Sequence, residues 1–309
     1  MQKIVPCLWF DKNAEEAMNF YASVFAESQT NAERSKIVSI KRYPDEVPTE
    51  VMKGMEGKVL TGLFELAGHR FMALDGGPIF KFTPAVSFFV RCHSEDEVDE
   101  YWSGLSDGGT VLMPLDTYPF SEKYGWIQDE YGLSWQVILA QGAVEQTIVP
   151  SLMFVGDQAG KAEEAINFYV EAFGDATIGD IARYSANQEP DGEGTVAYAD
   201  FQLEGQSFAA MDSARRHDFT FNEAISFYVE CEIQEEVDTL WEKLSAVPES
   251  EQCGWLKDKY GISWQIIPKQ LGELMNDPDP DKSGRVLDAM LKMKKIDIAR
   301  LEEAYRQSA

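Results

Sequence analysis

An internal repeat is the feature that most constrains how this 309-residue chain folds. The segment IVPCLWF at 4–10 returns as IVPSLMF at 148–154, and the pairs GW and YG with the triplet SWQ at 125–136 return at 254–265. A repeat of this length sets the plan of the fold, because each copy is a structural unit of its own. We predict two copies of one domain, at 1–141 and 147–272, followed by a C-terminal helical extension at 273–309.

Each copy alternates between strand and helix patterns, and does so twice. An apolar run opens the copy, and Ala14, Ala17 and Tyr21 then recur at helical spacing. Further along, Ser94 and Glu97 have the spacing of a helix-capping box. The strand-like segments of the first copy are 4–10, 37–43, 59–66, 69–74, 85–90, 110–113, 124–128 and 133–139. A strand, a helix and three strands thus occur four times in the chain, which predicts an α+β fold.

These segments resemble the vicinal-oxygen-chelate superfamily, also called the glyoxalase/bleomycin-resistance/dioxygenase superfamily, and in particular its PhnB-like branch. The resemblance covers nearly the whole chain and is carried by VPSLMF at 149–154, the helix at 162–173, CGWLKDKYG at 253–261 and the tail from DPDP at 277–280. It implies two tandem glyoxalase-like domains, each of two βαβββ modules whose mixed sheets curl into a cup that holds a ligand. Because single-copy relatives are expected to pair as dimers, it also implies an intramolecular pseudo-dimer; homo-oligomerisation of the chain stays open.

The resemblance also indicates where a metal site would lie. Metal-using members place one ligand on the first strand and one on the last strand of each module, usually His or Glu. The corresponding positions are, in the first copy, Cys7 or Leu8, Ala73 or Asp75, Ser87 and Gln136 and, in the second, Ser151 or Leu152, Ala210 or Asp212, Ser226 and Gln265. None of them is a histidine, and a lone carboxylate with hydroxyl and amide groups binds transition metals weakly. We therefore expect neither a metal ion nor another cofactor.

The polar residues at these strands form the candidate site. The candidate catalytic carboxylates are Asp75 and Asp212. The candidate ligand-binding residues are Ser87, Trp126, Gln136, Ser226, Trp255 and Gln265. The alternative interpretation is structural, with the aspartate capping a turn and the serine and glutamine satisfying neighbouring backbone groups. Because Trp135 and Trp264 alternate with the glutamines along their strands, we expect both tryptophans in the core.

Three classes of function fit these residues. The leading hypothesis is metal-independent binding of a small organic molecule in one or both cups. The second is an enzyme, namely a lyase, isomerase or dioxygenase that works through a divalent metal or a carboxylate. The third is a scaffold or regulatory module whose cups are filled. PhnB-like sequences are also described as 3-demethylubiquinone methyltransferases, but this chain has no glycine-rich strand–helix turn of the common cofactor-binding methyltransferase fold.

The charge balance limits the classes of molecule that can bind to this chain. The chain has 53 Asp and Glu against 27 Lys and Arg, a formal net charge of −26 that repels nucleic acid and anionic membranes and slightly favours a cationic ligand. No apolar run approaches the ~18 residues that span a bilayer. The four cysteines contain no CxxC pair, which is typical of a reducing compartment. We expect a cytoplasmic protein with no nucleic-acid or membrane partner.

The C-terminal extension carries an apolar stripe at helical spacing, formed by Val286, Leu287, Met290 and Met293. We expect this stripe to dock on the protein's own surface or on a symmetry mate. The alternative is a partner-binding face, since methionine-rich surfaces adapt to varied partners.

Overall fold

The structure, a computed structural model, describes residues 2–27, 34–45 and 53–307. Its strands are β1 (Ile4–Phe10), β2 (Lys36–Arg42), β3 (Val59–Leu66), β4 (His69–Asp75), β5 (Val86–Cys92), β6 (Thr110–Tyr118), β7 (Ser121–Gln128), β8 (Ser134–Leu139), β9 (Ile148–Phe154), β10 (Ala176–Arg183), β11 (Val196–Leu203), β12 (Gln206–Asp212), β13 (Ile225–Cys231), β14 (Trp255–Lys257) and β15 (Ser263–Pro268). Its helices are α1 (Ala14–Glu27), α2 (Glu95–Ser106), α3 (Ala162–Ala172), α4 (Gln234–Leu244), α5 (Lys269–Met275), α6 (Pro280–Met290) and α7 (Ile298–Arg306).

The predicted α+β class is confirmed, with one difference in the fourth module. The first three modules have a strand, a helix and three further strands. The fourth has only two strands, β14 and β15, after helix α4, and a short 3₁₀ turn at 248–250 precedes β14. Every residue of this module is described, so the prediction of four equal modules is wrong for the last one.

The described residues form two compact units, which we treat separately. The larger unit contains Gln2 and residues 6–225, and the smaller contains residues 3–5 and the chain from 226 onward. The division falls at the start of β13 rather than between the two sequence repeats, whose bounds stay a prediction. No helix among the described residues is long and apolar enough to cross a membrane.

The larger unit contains an eight-stranded mixed sheet with the order β10-β11-β12-β9-β5-β8-β7-β6. Strands β5 to β8 come from the first sequence copy, and β9 to β12 come from the second. The two halves meet where β5 and β9 run antiparallel, with Ser87 opposite Ser151 and Phe89 opposite Val149. One continuous sheet is therefore built from the second module of one copy and the first module of the other.

Aromatic side chains fill the core between the helices and this sheet. Strand β8 alternates, so that Trp135 and Val137 face the helices while Gln136 faces away. The ring centroids of Tyr21 and Trp135 are 5.6 Å apart, and those of Phe25 and Trp135 are 5.5 Å apart. Trp135 is fully buried, as predicted, and burying such a side chain contributes roughly 1.5–3 kcal/mol.

Two local patterns fix the helix starts. Ser94 caps α2 as predicted, because the Glu97 amide donates to Ser94 Oγ (3.2 Å), while Glu97 Oε2 accepts from the amide of His93 (2.7 Å), one residue before the cap. Helix α1 is capped from a distant strand instead. The Ala14 amide at its start donates to Oδ1 of Asp75 (2.9 Å), at the end of β4.

One buried carboxylate, that of Asp129, holds the turn of the repeated GW, YG and SWQ motif in place. Oδ1 of Asp129 accepts hydrogen bonds from the amides of Tyr131 (2.9 Å) and Leu133 (3.0 Å), and Oδ2 accepts one from Trp135 Nε1 (2.8 Å). Burial raises the pKa of Asp129 to about 6, against the opposing effect of these hydrogen bonds. In the smaller unit, Asp258 makes the same three contacts, so the motif is a β-hairpin turn with its own side-chain clamp.

In the smaller unit, strands β14, β15 and β13 lie side by side, and helices α5 to α7 follow. Trp264 on β15 is buried, as predicted. The C-terminal helices form an apolar cluster with Ile267 of β15, and the buried helix and loop residues of that cluster are Leu271, Val286, Met293, Ile296 and Leu301. The expectation that the extension docks on the protein's own surface is confirmed.

Candidate functional site

The candidate site lies on the sheet face opposite the helices of the larger unit, which we call the cup face. Its floor consists of four residues that lie at, or one residue from, positions where the resemblance predicts metal ligands. Ser87 and Ser151 are register partners on β5 and β9. Gln136 is the register partner of Phe89, two residues after Ser87, and Met211 is the register partner of Met153, two residues after Ser151. Ser87, Gln136, Ser151 and Met211 are the floor residues.

The first copy contributes a continuous chain of hydrogen bonds to this floor. The Tyr124 hydroxyl donates to Gln136 Oε1 (2.6 Å), and Gln136 Nε2 donates to Ser87 Oγ (2.7 Å). All three side chains are buried, with 3% or less of their surface exposed. Burial raises the pKa of Tyr124, so its phenol stays protonated and keeps donating at neutral pH. The two contacts fix which way the Gln136 amide points.

The second copy contributes a hydroxyl that is buried and unpaired. Ser151 has no exposed surface, and its Oγ has no hydrogen-bond partner among the described residues. A buried hydroxyl without a partner costs about 1–3 kcal/mol of stability. Native proteins pair most such groups, so an exception needs a physical reason. A polar atom of a bound molecule would supply the missing hydrogen bond.

Apolar and aromatic side chains wall this floor. Phe89, Tyr124, Val149 and Ala209 form a buried cluster on the cup face. The half-buried side chains that pack against the cluster are Met113, Tyr118, Trp126, Ile138, Tyr198 and Met211. Nε1 of Trp126 donates to Ser134 Oγ (2.8 Å), which fixes the indole ring against the wall. The walls therefore offer aromatic and thioether surface to an organic molecule.

A cationic group lies at the edge of these walls. Arg91 donates from its guanidinium to the hydroxyl of Tyr198 (2.9 Å). Burial raises the pKa of Tyr198, and the neighbouring Arg91 opposes this shift. Both residues lie beside the floor. The repeat does not predict them, because Glu230 of the second copy stands at the position of Arg91 and Thr61 of the first copy stands at the position of Tyr198.

The hairpin of β6 and β7 covers one side of the floor. Near its turn, the ring of Tyr118 meets that of Tyr124 edge-on at 5.5 Å, and Phe120 meets Tyr124 edge-on at 5.0 Å. Phe120 is 56% exposed, so this aromatic group runs from solvent to the floor. The pairing of β6 with β7 has three register shifts, and Pro114 lies within β6. The cover is consequently a twisted, irregular hairpin rather than a regular sheet edge.

The structure does not bring the candidate residues Asp75, Ser87 and Gln136 of the first copy together on one sheet. Asp75 lies on β4, which is not part of the eight-stranded sheet, and its two oxygens accept from the amides of Ala14 (2.9 Å) and Val59 (2.8 Å). These contacts are structural, like those of the alternative interpretation, but they lie at the starts of α1 and β3 rather than at a turn. A catalytic role for Asp75 stays a prediction.

Asp212 has the same kind of surroundings at the start of α3. Its Oδ1 accepts from the amides of Gly160 (2.8 Å) and Ala162 (3.0 Å), and its Oδ2 accepts from the amide of Val196 (3.0 Å). Burial raises the pKa of Asp212, against the opposing effect of these amides. Met211 holds the fourth floor position, where Ala210 or Asp212 was expected. A register difference of one residue explains the error, since it moves a side chain to the other face.

In both copies the candidate serine and glutamine are hydrogen-bonded to each other. In the smaller unit, Gln265 Nε2 donates to Ser226 Oγ (2.9 Å), and both residues are buried. Trp255 on β14 pairs in register with Gln265, as Trp126 does with Gln136. From the sequence, Ser151 is one of the positions of a possible metal ligand but is not among the candidate ligand-binding residues. Tyr124 is not among the candidates at all. Alternation along β7 could have found Tyr124, which lies two residues before Trp126 on the same face.

The floor residues do not fit a divalent metal ion. They offer two hydroxyls, one amide and one thioether, whereas divalent sites of this kind use imidazole and carboxylate ligands. Among the described residues, no group of three or more His, Cys, Asp or Glu is placed to hold a metal. We derive no metal-dependent step for this site.

A mixed sheet built from βαβββ modules is the glyoxalase-like fold that the resemblance implies. The chain belongs to the family described as 3-demethylubiquinone-9 3-methyltransferase, whose sequence model matches residues 2–138 and, a second time, residues 146–267. The double match agrees with the tandem repeat. A search of curated proteins found no match.

Three solved structures that are similar to the chain cover it to different extents. The PhnB protein from Bacillus cereus is 46% identical, and the match covers 45% of this chain and 100% of that chain with a TM-score of 0.39. The protein PA1353 from Pseudomonas aeruginosa is 22% identical, covering 46% of this chain and 100% of that chain with a TM-score of 0.39. Glyoxalase I from Zea mays is 11% identical, covering 84% of this chain and 92% of that chain with a TM-score of 0.49.

Proposed function

We propose that this protein binds a small, mainly apolar organic molecule on the cup face of the larger unit, without a metal ion. The unpaired hydroxyl of Ser151 carries the proposal. It lies beside a chain of hydrogen bonds that runs from Tyr124 through Gln136 to Ser87. The side chains of that chain are held by these bonds, whereas Ser151 Oγ has no hydrogen bond to any described residue. A site that leaves one polar group free inside an apolar wall is typical of ligand pockets.

The surroundings define the chemistry of the ligand. Aromatic and thioether walls favour a flat, unsaturated molecule, and the hydroxyl of Ser151 can donate to or accept from one polar atom of it. The formal net charge of −26 favours a neutral or cationic molecule over an anion. We therefore propose a neutral or cationic aromatic compound with a hydroxyl or carbonyl group.

Binding, rather than catalysis, is the activity that these contacts support. The floor residues contain no carboxylate or imidazole that would act as a general base or acid. Asp75 and Asp212, the candidate catalytic carboxylates, use their oxygens to accept backbone amides. The family description names a methyltransferase, but no contact in the cup favours transfer of a methyl group over simple binding.

A pair of probes tests this proposal on the full-length chain. 2-Naphthol carries a hydroxyl, and 2-methylnaphthalene has nearly the same shape without one. Equilibrium dialysis should show that wild-type protein binds both. Ser151→Ala should weaken 2-naphthol binding about 5- to 10-fold, the effect of one lost hydrogen bond, and leave 2-methylnaphthalene binding unchanged.

The matched control is Ser103→Ala, which removes an exposed serine hydroxyl on α2. It should change the affinity for neither probe. The proposal is contradicted if wild-type protein binds neither probe, or if Ser151→Ala weakens both probes equally.

A further inference from the structure

The two serine–glutamine pairs have different covers, although the pairs themselves match. Phe89 and Ile138 lie two residues beyond Ser87 and Gln136, so they share the cup face with them. In the second copy, Tyr228 and Ile267 lie two residues beyond Ser226 and Gln265. These equivalent positions allow the two faces to be compared residue by residue.

In the smaller unit, the C-terminal helices cover this face. Ile267 is 6% exposed and packs in one apolar cluster with Val286, Met293, Ile296 and Leu301 of the extension. Tyr228 packs against the same cluster. The side chains of the extension therefore lie on the sheet face that carries Ser226 and Gln265.

The backbone of the extension also replaces a missing strand segment. Strand β7 of the first copy has eight residues, whereas β14 has three. Cys253 stands at the repeat position of Tyr124, and its amide donates to the carbonyl of Met293 (2.8 Å). The amide of Gly254 donates to the carbonyl of Lys294 (2.8 Å). In the first copy this segment is part of strand β7. In the second copy the same segment is hydrogen-bonded to the backbone of the extension.

We propose that the C-terminal extension seals the ligand face of the second serine–glutamine pair, so that each chain binds one ligand, on the cup face of the larger unit. This inference rests on the proposed function for the number of ligands, but the seal itself is a property of the smaller unit. The first floor has an irregular hairpin as its cover, whereas the second has three helices with a shared apolar core. The duplicated chain thus has two serine–glutamine pairs, and the extension leaves the second pair with a structural role only.

A native thiol reports on the seal independently of any ligand. Sγ of the half-buried Cys253 lies 3.6 Å from the carbonyl oxygen of Met290 in the extension, and burial raises the pKa of this thiol. The other three cysteines, Cys7, Cys92 and Cys231, are buried. Reaction of the folded full-length protein with 5,5′-dithiobis(2-nitrobenzoate), followed by peptide mass spectrometry, measures the labelling rate of Cys253.

The test variant is Ile296→Asp, which places a charge in the fully buried centre of the seal. We expect Cys253 to be labelled at least 10-fold faster in this variant. The matched control Ala299→Asp introduces the same group at an exposed position of α7 and should leave the rate unchanged. Equal rates in Ile296→Asp and wild type would overturn the seal.

Ligand stoichiometry tests the number of sites. Dialysis of wild-type protein with 2-naphthol should give one site per chain, and Gln265→Leu should not reduce it. Ile296→Asp should add a second site that the further substitution Gln265→Leu removes. Two sites in wild-type protein, or loss of the wild-type site in Gln265→Leu, would overturn the inference even if Ile296→Asp fails to fold.

The two proposals fail in distinguishable ways. If wild-type protein binds no 2-naphthol while Ile296→Asp still exposes Cys253, the proposed function is refuted and the seal is supported. If wild-type protein binds one 2-naphthol and Ile296→Asp exposes Cys253 without adding a site, the seal as the cause of single-site binding is refuted and the proposed function stands.

Discussion

Ser87 and Ser151 face each other across the antiparallel pair β5–β9, yet their hydroxyls differ in one respect. Oγ of Ser87 accepts a hydrogen bond from Gln136 (2.7 Å), whereas Oγ of Ser151 has no partner within the described part of the chain. The last strand of the Ser87 module carries Gln136, whereas Met211, a thioether, stands at the corresponding place beside Ser151. Within the described part of the cup face, Ser151 Oγ is therefore left as a buried side-chain oxygen without a hydrogen bond.

The chain of hydrogen bonds through Gln136 should stabilise the fold. Gln136→Leu removes both contacts and leaves the Tyr124 and Ser87 hydroxyls without their partner in a buried place. We expect the free energy of unfolding to fall by about 2–3 kcal/mol, measured by urea denaturation. The control Gln202→Leu changes an exposed glutamine on β11 and should cost less than about 0.5 kcal/mol. Equal losses in the two variants would contradict this role of Gln136.

Asp75 should act on stability and not on ligand binding. Asp75→Asn retains the shape of the side chain but replaces one acceptor oxygen with a donor that faces a backbone amide. We expect a loss of about 1–3 kcal/mol of stability with unchanged affinity for 2-naphthol. Asp180→Asn, at an exposed position on β10, is the matched control. A fully stable Asp75→Asn protein that has lost ligand binding would favour the functional role predicted from the sequence.

A buried histidine should make the fold less stable in acid. Burial lowers the pKa of His69 to about 4, whereas an unfolded histidine has a pKa of about 6.5. Between these values the unfolded state binds a proton that the folded state does not, so stability falls as pH falls from 6.5 towards 4. The loss from this residue approaches about 3 kcal/mol at pH 4. Urea denaturation of wild type and His69→Gln from pH 7.5 to 4.5 measures it, and parallel pH profiles would contradict the assignment.

Gly254 should be needed for close packing of the chain before β14 against β15. Its φ is +88°, and a Cβ there would collide with Ile267 Cδ1 and lie 3.1 Å from the carbonyl oxygen of Ile266. Gly205 has a similar φ of +71° but open space around it. We expect Gly205→Ala to cost about 1 kcal/mol and Gly254→Ala about 3 kcal/mol, since only the second adds a collision to the backbone strain. Equal losses in urea denaturation would show that the chain at Gly254 does not pack closely on β15.

Much of the fold could be predicted from the sequence, because it depends on local pattern. Alternation along β8 puts Trp135 and Gln136 on opposite faces, and the repeat places a serine and a glutamine at equivalent positions in both copies. The cap of α2 was likewise readable from Ser94 and Glu97. These features need only neighbours in the chain.

The remainder depends on contacts between distant segments. The pairing of β5 with β9 brings Ser151 beside Ser87, and no periodicity within either copy specifies that junction. The floor position of Met211 differs by one residue from the expected one, and a single-residue shift reverses the face of a strand side chain. The cover on Ile267 comes from helices that lack a counterpart in the first copy.

Urea denaturation of Ser151→Ala, with and without 2-naphthol, tests the central claim most directly. If the hydroxyl serves a ligand, removing an unpaired buried group should leave the ligand-free protein as stable as wild type or up to about 1 kcal/mol more stable. The same variant should lose most of the stabilisation that 2-naphthol gives the wild type at a concentration near its dissociation constant. A ligand-free Ser151→Ala protein that is clearly less stable than wild type, with undiminished stabilisation by 2-naphthol, would contradict the account.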